Sequence, residues 1–301
     1  MMTPQYGVAL VTGASSGIGK VTAIALHSAG FITYATARNP QTLSDLATKG
    51  CYVLQLDITD EASMLAAVRP IEAKHGAVSL LVNNAGYNQI GPLEELTMEE
   101  IRRQFETNVF GLLRMCQLVL PRMRSQGYGR IINVGSIGGT FTTPGNGAYH
   151  ASKYAVESFT DALRCEVKPF GVDVVLIQPT GVRTPFVEKL SSSMPQTGDD
   201  SPYATFKRNM EVQVQQMFAE NAWGILTPDD VAKVIVQAAL VRRPQTRYKV
   251  GLGGKLFYWM RRLLPDRVWD ALMSRMFPMD KVSGSRKPQN VTQIRDPRAM
   301  N

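Results

Sequence analysis

The chain is predicted to fold as an α/β protein whose doubly wound parallel sheet is covered by helices on both faces. Three observations predict this class: short apolar runs alternate with helical patterns, a glycine-rich turn follows the first run, and polar motifs close several later runs. Because crossovers between parallel strands are right-handed, the ligand crevice of such a sheet lies at the carboxyl ends of its strands. We expect the polar motifs to meet at that edge.

Seven apolar runs have the length and composition of strands that are buried on both faces. They are Val8–Thr12, Phe31–Thr36, Tyr52–Leu56, Leu80–Asn83, Arg130–Val134, Val172–Ile177 and Tyr248–Gly251. The helical patterns between them cover Gly17–Ala29, Glu61–His75, Met98–Ser125, Ala148–Phe170 and Thr227–Val241. The last helix begins with a clear signal, since Thr227 suits the capping position and Pro228 the first helical position.

One domain of residues 1–253 accounts for these elements, with an insertion at about 184–224 after the sixth strand. Residues 254–280 mix large apolar side chains with arginines, which predicts two short amphipathic helices broken at Pro265. This extension either packs on the body or on another subunit, or anchors the protein to an anionic membrane. Residues 281–301 are polar and charged, and they are predicted to be disordered.

The net charge of +8 is concentrated at the C-terminal end of the chain. From Arg242 onward there are fourteen Lys and Arg against four Asp, whereas the residues before it carry nineteen basic and twenty-one acidic groups. This distribution does not indicate nucleic-acid binding by the whole protein. The three cysteines are too few and too scattered for a disulfide framework, and no cluster of ligand residues indicates a metal site.

No signal peptide or membrane span is predicted. The first seven residues lack a basic segment followed by an apolar one, and no run approaches the roughly 18 apolar residues that a span needs. We therefore expect a cytoplasmic protein, peripheral to a membrane if the C-terminal extension is an anchor.

The glycine-rich turn after the first run predicts a dinucleotide pocket. Gly13, Gly17 and Gly19 permit a tight turn and a close approach of the backbone to a pyrophosphate, while the helix N-terminus directs its amides at the negative charge. The intervening Ser15, Ser16 and Ile18 belong to the same cofactor-binding turn.

The second run ends at Ala37 and Arg38, which favours NADP over NAD. An enzyme that prefers NAD usually has an acidic residue there to accept from the ribose 2′-hydroxyl, whereas the arginine fork suits a 2′-phosphate. The alternative is a solvated surface arginine.

The third and fourth runs end in further cofactor candidates. Asp57 can accept from the adenine amino group, with Ile58 beside it, and Asp60 is the better candidate to cap the following helix. Asn84, Ala85 and Gly86 bring small side chains and backbone against the ribose on the nicotinamide side. Asn83 suits either this site or a structural link between strand ends.

Tyr149, Lys153 and Ser136 form the predicted catalytic group. Hydride transfer to a carbonyl leaves an alkoxide that needs a proton, and free tyrosine with a pKa of about 10 exchanges protons poorly near neutrality. Lys153 lies one helical turn after Tyr149, where its ammonium is expected to favour the phenolate and lower that pKa. Ser136 follows the fifth strand at the same rim and can bond the reacting oxygen. His150 points about 100° away around the helix and is predicted to be uninvolved.

These motifs, in this order and spacing, resemble the short-chain dehydrogenase/reductase family, whose sheet is a Rossmann fold. The resemblance covers roughly residues 5–185. It implies that the tyrosine is the proton donor or acceptor, that the serine orients the substrate, and that the lysine binds ribose and tunes the tyrosine. It also implies that Asn108 holds a water of a proton relay. The segment after the sixth strand is implied to lie beside the nicotinamide through Pro179, Gly181, Val182 and Thr184.

The long insertion is similar to that of the hydroxysteroid and retinol dehydrogenase branch. It implies a bulky lipophilic alcohol, or its ketone or aldehyde, as substrate, and a role in lipid metabolism. Candidates for an apolar pocket, each equally suited to the core, are Phe141, Phe186, Tyr203, Phe206 and Met210. Two alternatives stay open: a reductase of 3-oxoacyl thioesters or other small carbonyls, and a non-catalytic nucleotide-sensing protein. The family implies a homodimer or homotetramer through helices 98–125 and 148–170.

Overall fold

A seven-stranded, fully parallel sheet forms the centre of the molecule. The computed structural model describes residues 6–184, 193–195, 201–218 and 224–279. The strands are β1 Val8–Val11, β2 Ile32–Ala37, β3 Tyr52–Gln55, β4 Leu80–Asn83, β5 Gly129–Val134, β6 Val172–Pro179 and β7 Arg247–Val250. They lie in the order β3-β2-β1-β4-β5-β6-β7, so the predicted doubly wound sheet is confirmed.

The α-helices of the described residues include every predicted helix, together with two that were not predicted, over 44–48 and 204–217. They are α1 Gly17–Ser28, α2 Ser44–Thr48, α3 Glu61–His75, α4 Met98–Phe105, α5 Leu112–Gln126, α6 Gly147–Val167, α7 Ala204–Met217, α8 Pro228–Leu240, α9 Leu252–Leu263 and α10 Asp266–Met276. The predicted single helix over 98–125 is interrupted by a π-helical segment, Glu106–Gly111. The predicted start of α8 is correct, because Thr227 and Asp230 form a reciprocal capping box.

Two apolar layers cover the sheet, one on each face. Successive residues of a strand point to opposite faces, so Leu10 of β1 faces the layer of α3, α5 and α6. Its neighbours Ala9 and Val11 face the layer of α1 and α8. All three are fully buried, which explains why the strands are short continuous apolar runs rather than alternating ones.

A third apolar cluster lies over the carboxyl edge of the sheet and joins the C-terminal helices to the body. Its buried members are Ile90, Ile137, Phe141, Met194, Phe206, Met210, Trp269, Met273 and Phe277. Trp269 of α10 packs edge-on against Phe141 at 5.9 Å and against Phe257 of α9 at 6.3 Å between ring centroids. The extension therefore forms two helices broken at Pro265, as predicted, and it packs on the body.

The described part of the insertion is tied to the body by a buried ion pair. Lys207 of α7 lies 2.9 Å from Glu95, and both side chains are about nine-tenths buried. Phe186 and the predicted disordered tail 281–301 lie outside the described residues. Within the described ranges, no helix has the length and apolarity to cross a bilayer, and no three His, Cys, Asp or Glu are grouped to hold a metal.

Truncation of Trp269 is expected to destabilise the protein much more than truncation of Trp259. Trp269 is 5% exposed within the third cluster, whereas Trp259 of α9 is 56% exposed. We expect Trp269→Ala to lower the free energy of unfolding by about 3 kcal/mol or more and Trp259→Ala by less than about 0.5 kcal/mol. Urea unfolding followed by circular dichroism measures both. Equal midpoints for the two variants would show that the C-terminal helices contribute nothing to the core.

Candidate active site

The glycine-rich turn is held in place by close contacts to the end of β4. Gly13 has a φ of +66° and Gly17 a φ of +55°, conformations that L side chains rarely adopt. A Cβ atom on Gly13 would lie 2.7 Å from the Cα of Ala85, and one on Gly19 would overlap the amide of Asn84. The sequence therefore needs glycine at these positions both for the backbone conformation and for the approach of the two segments.

The N-terminus of α1 has no side-chain cap. Its capping residue, Ser16, has an extended backbone and makes no side-chain hydrogen bond to the helix, and both Ser15 and Ser16 are exposed. Backbone amides at the start of a helix carry partial positive charge and attract anions. The turn thus fits the pyrophosphate of a dinucleotide, because the acceptor position that a capping side chain usually fills is left open.

Thr12, which the sequence motifs did not single out as a functional residue, connects the turn to the β4 end. Its hydroxyl oxygen accepts hydrogen bonds from the backbone amides of Asn84 and Ala85, each at 3.0 Å. The side-chain nitrogen of Asn84, Nδ2, in turn donates to the backbone carbonyls of Thr12 and Gly13, both at 3.0 Å. Asn84 therefore stabilises the glycine-rich turn. The sequence signal for this role is the presence of a polar residue at the end of a buried strand.

The ends of β2 and β3 lie along the same edge. Arg38 is exposed and makes no hydrogen bond or ion pair within the described ranges. Asp57 accepts from the backbone amide and hydroxyl of Thr59 at 2.9 and 2.7 Å, while Asp60 caps α3, as expected. Ile58 is 7% exposed and belongs to the core layer of α3, α5 and α6.

The segment after β6 folds back over the glycine-rich turn. Pro179 ends β6, and Val182 pairs with Leu226 in an isolated parallel bridge. Thr184 reaches the start of α1, because a Cβ atom on Gly17 would lie 3.1 Å from its methyl group. Gly181, two residues after Pro179, faces Ile225, because a Cβ atom on Gly181 would lie 2.9 Å from the Ile225 side chain. The structure thus brings Thr184 to the turn, 167 residues away along the chain from Gly17.

Ser136, Tyr149 and Lys153 converge beside the ends of β4 and β5. The Ser136 hydroxyl is hydrogen-bonded to Tyr149 and accepts from the backbone amide of Gly138 at 3.1 Å. Lys153 is 6% exposed, and its Nζ lies 5.8 Å from the centre of the Tyr149 ring. Nζ donates to the carbonyl of Val134 at 2.9 Å and lies 3.9 Å from where a Cβ on Gly86 would be.

Burial is the largest influence on the protonation of this group. It raises the pKa of Tyr149 above its usual value, and the Ser136 hydrogen bond acts in the opposite direction. Burial lowers the pKa of Lys153 to about 8, and the Glu157 carboxylate partly opposes that effect. The pKa of Tyr149 is thus set in this structure by burial and by the Ser136 hydrogen bond, and the expectation that the Lys153 ammonium lowers it stays a prediction.

Asn108 lies in the π-helical segment and connects three parts of the site. Its Oδ1 accepts from the amide of Tyr87 at 3.0 Å, and its Nδ2 donates to the Tyr87 carbonyl at 2.9 Å and to the Ser152 hydroxyl at 3.1 Å. Both amide hydrogens are thus in use, and only Oδ1 retains a free acceptor position. Asn83 has the structural role, since it donates to Asn133 of β5 at 3.0 Å.

A polar network behind Lys153 was missed by the sequence reasoning. Glu157 lies one helical turn after Lys153, and it accepts from Gln178 at 2.6 Å and from Arg247 at 3.2 Å. Gln178 is 1% exposed and directly precedes Pro179. The network therefore connects α6 to the end of β6 and to β7. The only sequence signal is the four-residue spacing of Glu157 from Lys153, which is common on helix surfaces.

The third cluster forms the apolar side of the crevice. Of the predicted pocket residues, Phe141, Phe206 and Met210 are buried in it, and Tyr203 packs against it. A groove of about 550 Å³ adjoins the cluster and is lined by Leu93, Thr142, Gly147, Trp269 and Met273, among others. Gly147 is the first residue of α6, two before Tyr149. The groove therefore runs beside the N-terminus of the helix that carries Tyr149.

A family model described as short chain dehydrogenase matches residues 7–195, more than half of the chain. The chain belongs to the short-chain dehydrogenase family. The matched range begins just before β1 and covers the glycine-rich turn, Ser136, Tyr149 and Lys153.

Several curated relatives of this dehydrogenase are oxidoreductases. It is 39% identical over 269 residues to 3-ketodihydrosphingosine reductase of Bacteroides thetaiotaomicron, with 89% of this chain and 96% of the relative covered. It is 36% identical over 255 residues to human 17-beta-hydroxysteroid dehydrogenase type 1, with 80% and 76% covered. An uncharacterized oxidoreductase of Bacillus subtilis is 36% identical, with 89% and 97% covered. The chain is therefore an NAD(P)-dependent dehydrogenase/reductase rather than a nucleotide-sensing protein without catalysis.

Solved structures share the architecture of this short-chain dehydrogenase. A short-chain dehydrogenase from Streptomyces avermitilis has a TM-score of 0.75 and 31% identity, with 91% of this chain and 97% of that one covered. A serine dehydrogenase complexed with NADP⁺ has a TM-score of 0.71 and 26% identity, with 81% and 94% covered. A family member from Burkholderia phymatum in complex with NAD has a TM-score of 0.74 and 25% identity, with 94% and 100% covered. The cofactor is a nicotinamide dinucleotide.

His150 is expected to make stability depend on pH. Its Nδ1 accepts from the amide of Thr143 at 3.3 Å, and burial lowers its pKa to about 4. In the unfolded chain His150 binds a proton near pH 6.5, whereas in the folded chain it stays neutral down to about pH 4. The free energy of unfolding therefore keeps its full value above about pH 6.5 and decreases as the pH falls below it. Between about pH 7.5 and pH 5 we expect the wild type to lose about 2 kcal/mol more than His150→Asn. Urea unfolding at both pH values measures it, and parallel losses in the two proteins would contradict the assignment.

Proposed function

We propose that the enzyme interconverts a lipophilic alcohol and its ketone or aldehyde, with NADP(H) as cofactor and Tyr149 as the proton donor or acceptor. The observation that carries the proposal is the hydrogen-bonded pair of Ser136 and Tyr149 beside the buried ammonium of Lys153, next to a turn that fits a pyrophosphate. In the reductive direction, a reduced nicotinamide supplies a hydride to the carbonyl carbon. Every other part of the reaction is assigned to side chains of this chain.

In this proposal Tyr149 and Ser136 both face the reacting oxygen. The Ser136 hydroxyl donates a hydrogen bond to it and stabilises its developing negative charge, while the Tyr149 hydroxyl transfers its proton to it. The raised pKa of Tyr149 keeps the phenol protonated and ready to donate at neutral pH. The nearby ammonium of Lys153 then stabilises the phenolate that remains after the transfer.

Two further assignments concern the relay and the ribose. We assign Lys153 to the ribose hydroxyls, and support comes from its Nζ, which lies 2.9 Å from the carbonyl of Val134 and close to Gly86. We assign Asn108 to the water of the proton relay. Its side chain has one acceptor position left, and the π-helical segment around it interrupts the regular helix, a feature frequent at functional sites.

The substrate is proposed to be a bulky apolar molecule. Support comes from the third cluster, whose aromatic, Met and Ile side chains form one side of the crevice. Two relatives, a 3-ketodihydrosphingosine reductase and a hydroxysteroid dehydrogenase, are named for substrates of that kind. A small thioester reductase remains the alternative, which a substrate panel separates.

We also propose a homodimer or homotetramer through α5 and α6. Phe110, just before α5, and Tyr154 and Phe159 of α6 are 48%, 42% and 37% exposed. Large exposed aromatic side chains are frequent among the residues that contribute most to interfaces.

Tyr149→Phe is expected to abolish most turnover and to spare cofactor binding. Removal of the hydroxyl removes the transferable proton, so kcat should fall by about 10²–10⁴-fold. NADPH affinity, measured by fluorescence titration, should stay within about threefold, because no pyrophosphate contact is lost. Tyr128→Phe, at an exposed tyrosine, is the matched control. A Tyr149→Phe enzyme with wild-type kcat on every ketone that the wild type reduces would disprove the assignment.

Arg38 is expected to decide the preference for NADP(H). Its exposed guanidinium has no partner in the described ranges, and Ala37 before it offers no carboxylate to a ribose 2′-hydroxyl. We expect Arg38→Asp to reduce the ratio of kcat/KM for NADPH over NADH by about tenfold or more, since an attraction for the 2′-phosphate becomes a repulsion. Arg69→Asp on α3 is the control for the general loss of positive charge. An unchanged ratio would show that Arg38 is a solvated surface residue that does not contact the 2′-phosphate.

A further inference from the structure

Helix α9 has two apolar faces, and only one of them is covered. Phe257, Met260 and Leu264 at its end pack against the third cluster. On the opposite side, Leu252, Leu256, Trp259 and Leu263 are 67%, 60%, 56% and 76% exposed. A helix that only packs on its own protein normally has one apolar face, turned to the core, and polar residues on its outer face.

The four exposed side chains form one continuous stripe. Their spacing of four, three and four residues keeps them within an arc of about 60° on a helix of 100° per residue. We call Leu252, Leu256, Trp259 and Leu263 the outer stripe. Surface apolar residues that occur singly need no explanation, whereas a contiguous row bordered by polar residues marks an interaction site.

The charge around the outer stripe is predominantly positive. Lys255 and Arg262 lie together along one border of it and are exposed, and α9 contains no acidic residue. Nearby, Lys249 and Arg262 lie 4.0 and 4.9 Å from the centre of the Tyr258 ring. Over residues 242–279 there are nine Lys and Arg against two Asp. The surroundings of the stripe therefore attract an anionic surface.

We infer that the outer stripe docks on the surface of a bilayer that contains anionic lipids. The Leu and Trp side chains enter the boundary between headgroups and acyl chains, while Lys255 and Arg262 contact the lipid phosphates. A row of Leu and Trp with a basic border is the pattern of a helix that lies in the membrane interface. None of the helices in the described part of the chain crosses the bilayer in this arrangement.

A second copy of the chain fits this surface less well than a bilayer does. In a twofold contact through α9, Lys255 and Arg262 would meet the same residues of the other copy, and like charges would face each other. The 12-residue helix is about 18 Å long, and the four side chains of the stripe expose a few hundred Å², which is below the roughly 800 Å² per partner of a stable interface.

Docking in this orientation would place the crevice close to the lipid. Gly254 of α9 lies against Ile137, the residue after Ser136, because a Cβ atom there would lie 3.0 Å from Ile137. A lipophilic ketone dissolved in the bilayer could then reach the third cluster without crossing water. This statement about substrate entry rests on the proposed function.

Vesicle binding by the full-length protein tests the inference. Sedimentation with vesicles of equal parts phosphatidylglycerol and phosphatidylcholine should show binding that weakens with salt and is lost on pure phosphatidylcholine. Leu256→Ser with Trp259→Ser should weaken binding by about tenfold or more, since both side chains leave the lipid. The control is Tyr128→Ser with Leu240→Ser, at comparably exposed positions away from α9, and it should bind like the wild type.

Three results would overturn the inference. They are no binding of the full chain to anionic vesicles, equal binding by the stripe variant, and a concentration-dependent dimer that the stripe variant abolishes in light scattering. Equal binding would assign the contact to another basic segment. Turnover of a water-soluble ketone is measured in parallel. Vesicle binding without turnover, or turnover without binding, separates a failure of the proposed function from a failure of the docking surface.

Discussion

The parallel register of the sheet is the constraint on which the site depends. Because all seven strands run in one direction, the residues that follow β1, β4, β5 and β6 emerge at a single edge. Contacts that only glycine allows then draw these segments together, with Gly13 against Ala85 and Gly17 beneath Thr184. The Thr12 hydroxyl fixes the arrangement through two backbone amides. The predicted cofactor site around the glycine-rich turn therefore depends on the common direction of the strands and on the absence of side chains at the glycines.

Burial sets the pKa values of Tyr149 and Lys153, and it also adds an energetic cost to bringing the two side chains together. An ammonium and a phenol in an apolar surrounding both shift toward their neutral forms, and the structure offsets this with specific partners. Lys153 donates to the carbonyl of Val134, and the negative charge of Glu157 raises its pKa. Tyr149 is hydrogen-bonded to Ser136. The network of Glu157, Gln178 and Arg247 shows that this support reaches as far as β7.

Much of the fold could be predicted because the strands are buried on both faces and the turns carry strong local signals. The start of α8 at Thr227 and the break at Pro265 depend on capping and on proline geometry, which act within a few residues. The π-helical interruption at Glu106–Gly111 was missed, since apolar periodicity is nearly the same in both kinds of helix. Contacts between distant segments, such as Gly17 with Thr184 or Trp269 with Phe141, have no local signature at all. The opposing pKa shifts of Tyr149 and Lys153 depend on burial that only the folded chain defines.

The most direct test of the account is a crystal structure of the enzyme with NADP⁺ and a bulky ketone, a combination that cannot turn over. The account predicts the pyrophosphate at the N-terminus of α1 and the ketone oxygen about 2.6–3.2 Å from the hydroxyls of both Ser136 and Tyr149. A ketone bound in the apolar crevice with its oxygen away from both hydroxyls, or a nucleotide bound away from the glycine-rich turn, would contradict it.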